Sequence, residues 1–364
     1  KAIIGTRCDP SSPLPGGCFV TAYDARHGEE LWRVNTAAKP GEPGGDTWGN
    51  LTGDERRHAS AWMVPSYDAD LNLVYWGTGV TALKPETLQG APNADLLFTN
   101  STLAVNPDTG KMTWYYQHLP RDYRDLDHPF ERMIVETTVA PSPDDVPWIN
   151  PRLKSGDKRK VVTGVFGKTG IVWSIDAKTG EFLWARPTTF QNVMKSVDPK
   201  TGKPIVSDLS DPKETPPNPS CPHLYGGKNQ PSGAFSPDTG AMYFALNNAC
   251  SAGIGTWGGG SQTQSAQPAQ AVRLADGMAV TGRMVLPPGS DPATAPVGRL
   301  EAISASTGKT VWKYEQRAPI YGSLLTTGGN VLFSGDMVRR FRAFNAQTGA
   351  ILWETILNGP VTAR

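Results

Sequence analysis

The sequence lacks any apolar run near the roughly 20 residues that a membrane-spanning helix needs, and it lacks an excess of charge of either sign. Lys and Arg together number 35 and Asp and Glu 34, which gives a formal net charge of +1. A nearly neutral chain has no long-range field that would gather nucleic acid or an anionic membrane surface. We therefore expect neither among its partners, and a small polar or neutral substrate fits this charge better. The chain starts with Lys1 and a β-like AIIG run, so we expect any secretion signal to have been removed or to lie upstream.

Cysteine is scarce as well. The four cysteines, Cys8, Cys18, Cys221 and Cys250, form no CxxC or CxxCH pattern, which argues against a zinc ribbon and against covalently attached c-type haem in this chain. Two disulfides in an oxidising compartment is the simplest interpretation. Three pairings are possible, and we expect Cys8 with Cys18 and Cys221 with Cys250, because these close the two shortest loops.

Basic residues cluster only from Arg152 to Lys160 (RLKSGDKRK). Gly and Asp interrupt this cluster and no aromatic residue is interleaved with it. The pattern predicts a solvated turn between strands rather than a nucleic-acid site.

Long segments of 3.6-residue periodicity are also missing, whereas Gly (39), Pro (32) and Trp (11) are abundant. The chain instead repeats one pattern five times, as AYDARHGEELW, AVNPDTGKMTW, SIDAKTGEFLW, AISASTGKTVW and AFNAQTGAILW. Each copy has a short apolar strand start, a turn that closes on Gly, and a Trp four positions after that Gly. The pairs are Gly28 and Trp32, Gly110 and Trp114, Gly180 and Trp184, Gly308 and Trp312, and Gly349 and Trp353.

Each copy predicts a β-hairpin, because Asp or Asn with Thr-Gly supplies the positive φ of the turn and alternation then places Trp on one face of the returning strand. The predicted fold class is all-β, a β-propeller whose blades are docked by tryptophan. The last two Trp are 41 residues apart, about one four-stranded blade, and the earlier gaps of 82, 70 and 128 leave room for inserted loops or for a blade without the motif. SPDTGAMYF, near Gly240, looks like such a degenerate copy. The stretches from Ser207 to Gly233 and from Ser251 to Val272 are predicted to be long loops, where function concentrates.

Two further segments resemble a known family. WMVPSYDADLNLVYWGTG, from Trp62 onward, resembles the part of methanol and ethanol quinoproteins that begins with the tryptophan under the PQQ ring and ends in YxGTGN. TGKMTWYYQHLPRDYRDLDHPFER resembles the family stretch TGKxxWxxQxxPxDxWDxD. The chain is thus similar, over nearly its whole length, to PQQ-dependent alcohol dehydrogenases. The resemblance implies an eight-bladed propeller, of which residues 1–364 would form a single domain that lacks blades at one or both ends.

The second segment contains the candidate catalytic base. By the resemblance, Asp125 is the aspartate that takes the hydroxyl proton of the alcohol. From the residues alone, Asp122, Asp125 and Asp127 with His128 form a cluster in which mutual repulsion would raise one pKa or recruit a cation. A plain acidic surface loop is the alternative. The family Trp is Arg124 here, a departure that bears on the substrate pocket.

Other positions that match the family would hold the cofactor. Lys168, in GVFGKTGIVWSID, takes the place of the basic residue that hydrogen-bonds the reactive PQQ carbonyl, where a fixed positive charge favours hydride arrival. AIIGTRCDPSSPLPGGCFVTAYD resembles IxGxSGAExGxRGxxTAYD, which gives Thr6 the position of a cofactor-binding Ser. GGKNQPSGAFSPDTG resembles NWxPxSYxPxTG and places Asn229 near the quinone edge. A core Trp and a surface Lys are the alternative interpretations of Trp62 and Lys168. The predicted cofactor-binding residues are Trp62, Thr6, Arg7, Ser60, Lys168 and Asn229.

The same resemblance implies a Ca²⁺ or lanthanide site. Its predicted ligands are Asp9, Asp125 and Asp127, the last of which resembles the extra ligand of lanthanide-using members. Asp9 stands for a family Glu, and Val80 stands where the family has an Asn ligand. A hard cation takes about six oxygens or more, so Asp127, a backbone carbonyl or water must replace the missing amide oxygen, or the site is weak. The identity of the metal stays open.

The predicted function is PQQ-dependent oxidation of a small alcohol, with the proton going to Asp125 and hydride to the quinone. Because the chain has no CxxCH, the electron acceptor is expected to be a separate cytochrome c or a missing haem domain. The family implies a periplasmic location. One alternative is a non-catalytic tryptophan-docked scaffold or binding protein of the bacterial envelope, which needs no constellation of Trp62, Asp125 and Lys168. Another is a quinoprotein that has lost its metal and its activity, which Asp9 and Val80 favour.

Overall fold

Strands and turns make up almost the whole chain in the computed structural model. The structure describes residues 1–8, 17–53, 55–56, 58–81, 83, 85–91, 93–207, 219–252, 272–273, 279–280 and 283–362. The helical segments in these ranges are one 3-10 turn, Gly45–Trp48, and the short helix α1, Pro85–Gln89. No helix in the described part of the chain has the length and apolarity required to span a bilayer.

Five antiparallel sheets follow one another along the chain as propeller blades, which confirms the predicted fold class. The first blade has three strands, β1 (Ala2–Gly5), β2 (Phe19–Tyr23) and β3 (Glu30–Asn35). The second has β4 (Ser66–Asp68), β5 (Leu73–Gly77), β6 (Ser101–Val105) and β7 (Met112–Gln117). The third has β8 (Met133–Val139), β10 (Asp157–Val165), β11 (Ile171–Asp176) and β12 (Phe182–Pro187), with β9 (Trp148–Ile149) paired to the outside of β12.

The fourth and fifth blades each have four strands. The fourth consists of β15 (Ala234–Ser236), β16 (Ala241–Asn247), β21 (Gly298–Ser304) and β22 (Thr310–Gln316). The fifth consists of β23 (Leu325–Thr326), β24 (Val331–Gly335), β25 (Arg340–Asn345) and β26 (Ile351–Ile356). Three short pairs lie outside the blades, β13 (Met194–Val197) with β14 (Pro204–Val206), β17 (Cys250–Ala252) with β20 (Arg283–Val285), and β18 (Val272–Arg273) with β19 (Ala279–Val280).

The repeated motif forms the turn between the last two strands of each blade. Its Asp or Asn closes the turn, as where Asn106 Oδ1 accepts the backbone N–H groups of Asp108 (2.9 Å) and Thr109 (3.1 Å). The Trp that follows packs on the corresponding turn of the next blade. Trp312 Nε1, for instance, donates to Ala346 O at 2.8 Å. A β-carbon added at Gly349 would lie 2.6 Å from the Trp312 ring, so the turn glycine is required for this contact as well as for its positive φ.

The same contact recurs between the other described blades. Trp32 donates to Pro107 O at 3.0 Å and lies against Gly110, and Trp114 donates to Ala177 O at 3.1 Å and lies against Gly180. Trp184 lies against Gly308. The outermost copies differ: Gly28 has open space around it, and the Trp353 side chain is 51% exposed. Tryptophan therefore acts between consecutive blades, at the positions the repeat predicts.

The cysteine pairing is confirmed, since Cys8 is bonded to Cys18 and Cys221 to Cys250. The interpretation of SPDTGAMYF as a degenerate blade copy is wrong. This segment is the first hairpin of the fourth blade, β15 to β16, and its Tyr243 donates to Ala346 O at 3.0 Å, the carbonyl that Trp312 also uses. A glycine-closed turn occurs in both hairpins of a blade, so the turn alone does not identify a docking copy.

The basic cluster is only partly the predicted turn. Strand β10 begins at Asp157, so Lys158, Arg159 and Lys160 lie within the sheet. Lys160 Nζ contacts Asp68 Oδ1 at 3.2 Å and Asp70 Oδ2 at 2.6 Å. Lys160 of this cluster thus forms ion pairs between the second and third blades.

Docking can be tested with two glycines of equal backbone conformation, Gly349 (φ 73°) and Gly28 (φ 75°). We expect Gly28→Ala to cost only the left-handed backbone strain of about 1–2 kcal/mol. We expect Gly349→Ala to lose about 1–3 kcal/mol more, because its methyl group overlaps the Trp312 ring. Urea-induced unfolding monitored by tryptophan fluorescence measures both. Equal losses would mean that the indole does not press on the turn.

Candidate active site

The four residues of the predicted cluster are all buried in a short irregular segment between β7 and β8. Asp122 is 5% exposed, Asp125 and Asp127 are 9% exposed, and His128 is fully buried. Buried carboxylates require partners, because an unpaired buried charge is costly. The expectation of a carboxylate cluster therefore holds over that of a solvated acidic loop.

Lys168 is the partner of two of these carboxylates. It lies between the end of β10 and the start of β11, and its side chain is only 9% exposed. Lys168 Nζ lies 2.7 Å from Asp125 Oδ2, 2.8 Å from Asp125 O and 3.2 Å from Asp127 Oδ2. The Lys168 backbone N–H also donates to Asp127 O at 2.8 Å. Backbone and side-chain contacts thus join the loop between β7 and β8 to the loop between β10 and β11. The alternative interpretation of Lys168 as a surface lysine is wrong, because its side chain is buried.

The electrostatics of this group suit a proton acceptor. Burial raises the pKa of Asp125, the nearby Asp127 carboxylate raises it further, and Lys168 opposes the rise. Burial lowers the pKa of Lys168, but its attraction to Asp127 and Asp125 outweighs burial and raises the pKa overall. Lys168 is therefore a permanent cation at neutral pH. A carboxyl group whose pKa is moved toward neutrality beside such a cation can take up and return a proton.

Asp127 is also held from the second blade. Its Oδ1 atom accepts the Val80 backbone N–H at 2.9 Å. A β-carbon at Gly79 would lie 2.5 Å from the same oxygen, so the glycine leaves room for the carboxylate beside the loop that follows β5. Val80 contributes a backbone donor here in place of the amide side chain that the family motif has at this position.

Trp62 is partly exposed and lies near Phe130, which follows the carboxylate segment. The two rings meet edge to face, with centroids 6.3 Å apart. Behind Phe130, the fully buried Lys228 places its ammonium 4.9 Å from the phenyl centroid and 2.8 Å from Glu131 Oε2. Phe130 N–H donates to Phe166 O at 3.1 Å, two residues before Lys168. Phe130 thus contacts both the Trp62 ring and the backbone that leads to Lys168.

Thr6 and Ser60 hold backbone in place. Thr6 Oγ1 donates to Phe19 O and accepts Phe19 N–H, both at 2.8 Å. Ser60 Oγ accepts the Cys8 N–H at 3.0 Å. Arg7 is exposed, and Asp9 lies outside the described residues. The side chains of Thr6 and Ser60 thus tie down the strand end and the disulfide loop.

Asn229 is likewise engaged with its own loop. Its Nδ2 donates to Tyr225 O at 2.9 Å, and its Oδ1 accepts Gln230 N–H at 2.7 Å. The loop reaches the site through Gly227, whose N–H donates to Lys168 O at 2.8 Å. Asn229 therefore supports the loop next to Lys168, and its role toward a cofactor stays a prediction.

Sequence reasoning missed a buried cation beneath the site. Arg132 is 3% exposed, and its guanidinium donates to His128 O at 2.7 Å, to Phe130 O and to Thr102 Oγ1 at 3.2 Å. Several donors in a fixed geometry thereby hold the carbonyls of the carboxylate segment. An Arg next to the start of a β-strand is ordinarily expected to face solvent, so nothing in the sequence predicted this role for Arg132.

Two histidines stack under the same segment. The rings of His118 and His128 are parallel to within 9°, with centroids 5.6 Å apart. Burial and the positive charge of Arg132 lower the pKa of His128 to about 3. Burial likewise lowers the pKa of His118 well below its usual value, with His128 and Arg132 adding to the effect. Both imidazoles are therefore neutral at physiological pH, and they act as packing and hydrogen-bonding groups.

Comparison with known proteins gives a family match over half of the chain. The model for the glucose/ethanol/alcohol dehydrogenase β-propeller domain matches residues 3–185. A second model, for the outer membrane protein assembly factor BamB, matches residues 257–364. Trp62, Asp125 and Lys168 all lie within the first match.

Individual relatives are dehydrogenases. The quinoprotein alcohol dehydrogenase PedH of Pseudomonas putida is 28% identical over 94% of this chain and 56% of its own length. The lanthanide-dependent methanol dehydrogenase of Methylacidiphilum fumariolicum is 27% identical over 90% of this chain and 48% of its own length. The crystal structure of the quinohemoprotein alcohol dehydrogenase from Comamonas testosteroni superposes with a TM-score of 0.74 at 27% identity, covering 99% of this chain and 52% of that one. The chain spans about half the length of the relatives it matches.

The Lys168 contacts predict a large stability difference between two lysine variants. Lys168→Met leaves two buried carboxylates facing each other without a cation, and we expect it to cost about 3 kcal/mol or more. Lys203→Met removes a pair of similar length, 2.8 Å to Asp95 Oδ2, whose lysine side chain is 70% exposed, and we expect a loss within about 1 kcal/mol. Urea unfolding at pH 7 compares the two. A Lys168→Met variant as stable as Lys203→Met would contradict the buried contact.

The buried histidine His118 predicts a pH dependence of stability. The unfolded chain takes up a proton at His118 below about pH 6.5, whereas the folded chain keeps it neutral. Stability is therefore complete above that pH and falls as the pH drops below it, by up to about 1.4 kcal/mol per pH unit. We expect His118→Gln to reduce the slope between pH 6.5 and 5 in urea unfolding, and His27→Gln, at an exposed position, to leave it unchanged. An unchanged slope in His118→Gln would show that His118 is protonated when folded.

Proposed function

Because the chain belongs to the glucose/ethanol/alcohol dehydrogenase β-propeller family, we propose that it is the catalytic propeller of a PQQ-dependent enzyme that oxidises a small alcohol to an aldehyde or ketone. The observation that carries the proposal is the buried contact of Lys168 with Asp125 and Asp127. A propeller scaffold has no need of it, since ion pairs buried this deeply contribute little net stability. The partly exposed Trp62, which contacts Phe130 just after the carboxylate segment, supports a catalytic role for this contact.

The residues present fit a flat, anionic quinone. Trp62 offers an indole face that is only partly covered, and aromatic rings stack favourably on such a face. Lys168 offers an ammonium group, and Arg7 adds an exposed positive charge. Trp62, Lys168 and Arg7 would hold PQQ, with Thr6, Ser60 and Asn229 around them. When bound, PQQ supplies a quinone carbonyl carbon that accepts hydride.

The donor atoms also suit a hard cation, in line with the lanthanide-dependent relative. Asp125 and Asp127 provide carboxylate oxygens, and the buried Oδ1 atom of Asn100 has no hydrogen-bond partner within the described residues. The described part of the chain contains no group of three or more His, Cys, Asp and Glu side chains arranged to hold a metal ion. Asp9, backbone carbonyls and water are the remaining sources of ligands for Ca²⁺ or a lanthanide.

Asp125 is the general base of the proposed reaction. Its carboxylate accepts the hydroxyl proton of the alcohol at an Oδ atom as hydride leaves the carbinol carbon. Lys168, 2.7 Å from Asp125 Oδ2, keeps that carboxylate oriented and supplies positive charge where negative charge develops. Burial of the Asp122 to His128 segment excludes water, so that these charges act at low dielectric.

The proposal extends to partners and location. Electrons from the reduced cofactor would pass to a cytochrome c, either a separate protein or a haem domain outside residues 1–364, since these residues contain no CxxCH segment. Two disulfides suit an oxidising compartment, and we place the protein in the periplasm.

Reconstitution tests the function. Purified protein is incubated with PQQ and either Ca²⁺ or a lanthanide, desalted, and assayed for retained quinone absorbance and for alcohol-dependent dye reduction. We expect Asp125→Asn to keep PQQ and lose turnover by about a hundredfold or more. We expect Trp62→Ala to retain PQQ at least about tenfold less tightly, through loss of area and stacking.

Two exposed residues provide matched controls. Asp291→Asn and Trp353→Ala change the same residue types far from the site and should behave as the parent does. Cofactor bound without turnover in the parent would point to an inactive quinoprotein. No binding at all would favour the envelope scaffold, in agreement with the BamB likeness of residues 257–364.

A further inference from the structure

Asp125 has a left-handed backbone conformation, which is uncommon for residues other than glycine and is adopted by Asp and Asn more often than by most others. Its φ is +63°, in the left-handed region, which is unfavourable for residues other than glycine by about 1 kcal/mol or more. The conformation turns the carboxylate toward Lys168 while the Asp125 carbonyl also faces that lysine, at 2.8 Å from Nζ. Something in the fold has to hold the backbone around Asp125.

Asp122 does this through both of its oxygens. Oδ1 accepts the backbone N–H of Arg124 at 2.9 Å, and Oδ2 accepts the backbone N–H of Leu126 at 2.7 Å. The Leu126 N–H is part of the peptide that follows Asp125, and the Arg124 N–H is part of the peptide that precedes Arg124, so the two bonds enclose the Arg124–Asp125 pair. A carboxylate bound on both oxygens by fixed donors forms charge-assisted bonds with little freedom to rotate.

Asn100 connects this clamp to the loop after β5, which holds Asp127. Its Nδ2 donates to Asp122 Oδ2 at 3.3 Å, and its own N–H donates to Gly79 O at 2.9 Å. Val80, the residue after Gly79, donates its N–H to Asp127 Oδ1. One continuous set of hydrogen bonds thus reaches from the peptide groups around Asp125 to the carboxylate of Asp127.

We propose that Asp122 is a positioning residue of the reaction, which fixes Asp125 at its left-handed conformation so that the base faces Lys168 and the substrate hydroxyl. The inference rests on the proposed function for the identity of the base. Asp122 does not touch the reacting atoms in this scheme, since both its oxygens are bound to backbone and to Asn100. Its effect is on where Asp125 stands, and a displacement of about 1 Å at such a group is enough for a large rate loss.

The hydrogen bonds of Asp122 differ from those of an ordinary turn aspartate elsewhere in the chain. Asp198, in the turn between β13 and β14, accepts the N–H groups of Lys200 (2.9 Å) and Thr201 (2.7 Å) on one oxygen only. That is the usual closure of a tight turn. Asp122 uses its two oxygens on N–H groups two and four residues ahead, so its contacts enclose the Arg124–Asp125 pair.

The test compares Asp122→Asn with Asp198→Asn in the PQQ-reconstituted full chain. An Asn at 122 can accept only one of the two N–H groups and turns an NH₂ group toward the other. We expect the turnover number per bound PQQ to fall about ten- to hundredfold in Asp122→Asn, with KM and PQQ affinity within about threefold of the parent. Asp198→Asn should keep the parent turnover. Counting bound PQQ by absorbance removes any unfolded fraction from the comparison, and melting temperatures are measured for both.

Asn100→Gly is the second variant, since it removes one contact of Asp122 without adding strain at Asn100, whose own φ is +47°. Because Asn100 Oδ1 is also a candidate oxygen for the cation, bound metal per chain is measured and turnover is compared at equal metal content. We expect a smaller fall in turnover per bound PQQ, about three- to tenfold, and this variant decides if Asp122→Asn does not fold. Parent-like turnover in Asp122→Asn, or in Asn100→Gly where that variant decides, overturns the positioning role. Parent-like turnover in Asp125→Asn instead overturns the base itself and with it the proposed function, so the two failures are distinguishable.

Discussion

A lysine ammonium held between two buried carboxylates is the contact on which the site depends. Lys168 lies within 3.2 Å of both Asp125 and Asp127, and all three side chains are almost fully shielded from water. Taking three charges out of water is expensive, so the arrangement persists only because every one of them is paired and hydrogen-bonded. The surrounding protein supplies those bonds: Val80 to Asp127, Asp122 to the peptides around Asp125, and Arg132 to the carbonyls that follow.

The propeller makes this pairing possible by bringing separate blades to one place. Lys168 comes from the third blade, Asp125 and Asp127 from the segment that leads into it, and Val80 and Asn100 from the second blade. These blades are locked together by Trp114, which donates to Ala177 O, and by Tyr75, which donates to the same carbonyl at 2.9 Å. The indole contact that repeats along the chain therefore also sets the distance between the loops that carry the charges.

The site region encloses more buried cations than are required to balance the charges of Asp125 and Asp127. Arg124, Arg132 and Lys228 are all shielded within or beside the same segment, and Lys228 pairs with Glu131 at 2.8 Å. Such a concentration of enclosed charge is unusual for the interior of a β-sheet protein, where apolar side chains dominate. It fits a site that handles an anionic cofactor and a moving proton, and it agrees with membership of a dehydrogenase propeller family.

The sequence by itself determined the class of fold, the docking tryptophans, the disulfide pairing and the candidates Trp62, Asp125, Asp127 and Lys168, because each is written in local patterns of turn residues, spacing and motif. The tertiary structure alone decided that the SPDTG turn belongs to the first hairpin of the fourth blade and that the basic cluster ends within strand β10. It alone showed that the side chains of Thr6, Ser60 and Asn229 hydrogen-bond to backbone groups. It alone revealed Arg132 and the bracket that Asp122 and Asn100 place around Asp125. The physical reason is that hydrogen bonding and burial depend on which loops of different blades meet, and residues such as Asn100 and Asp122 carry no mark in the sequence of the partner they will find.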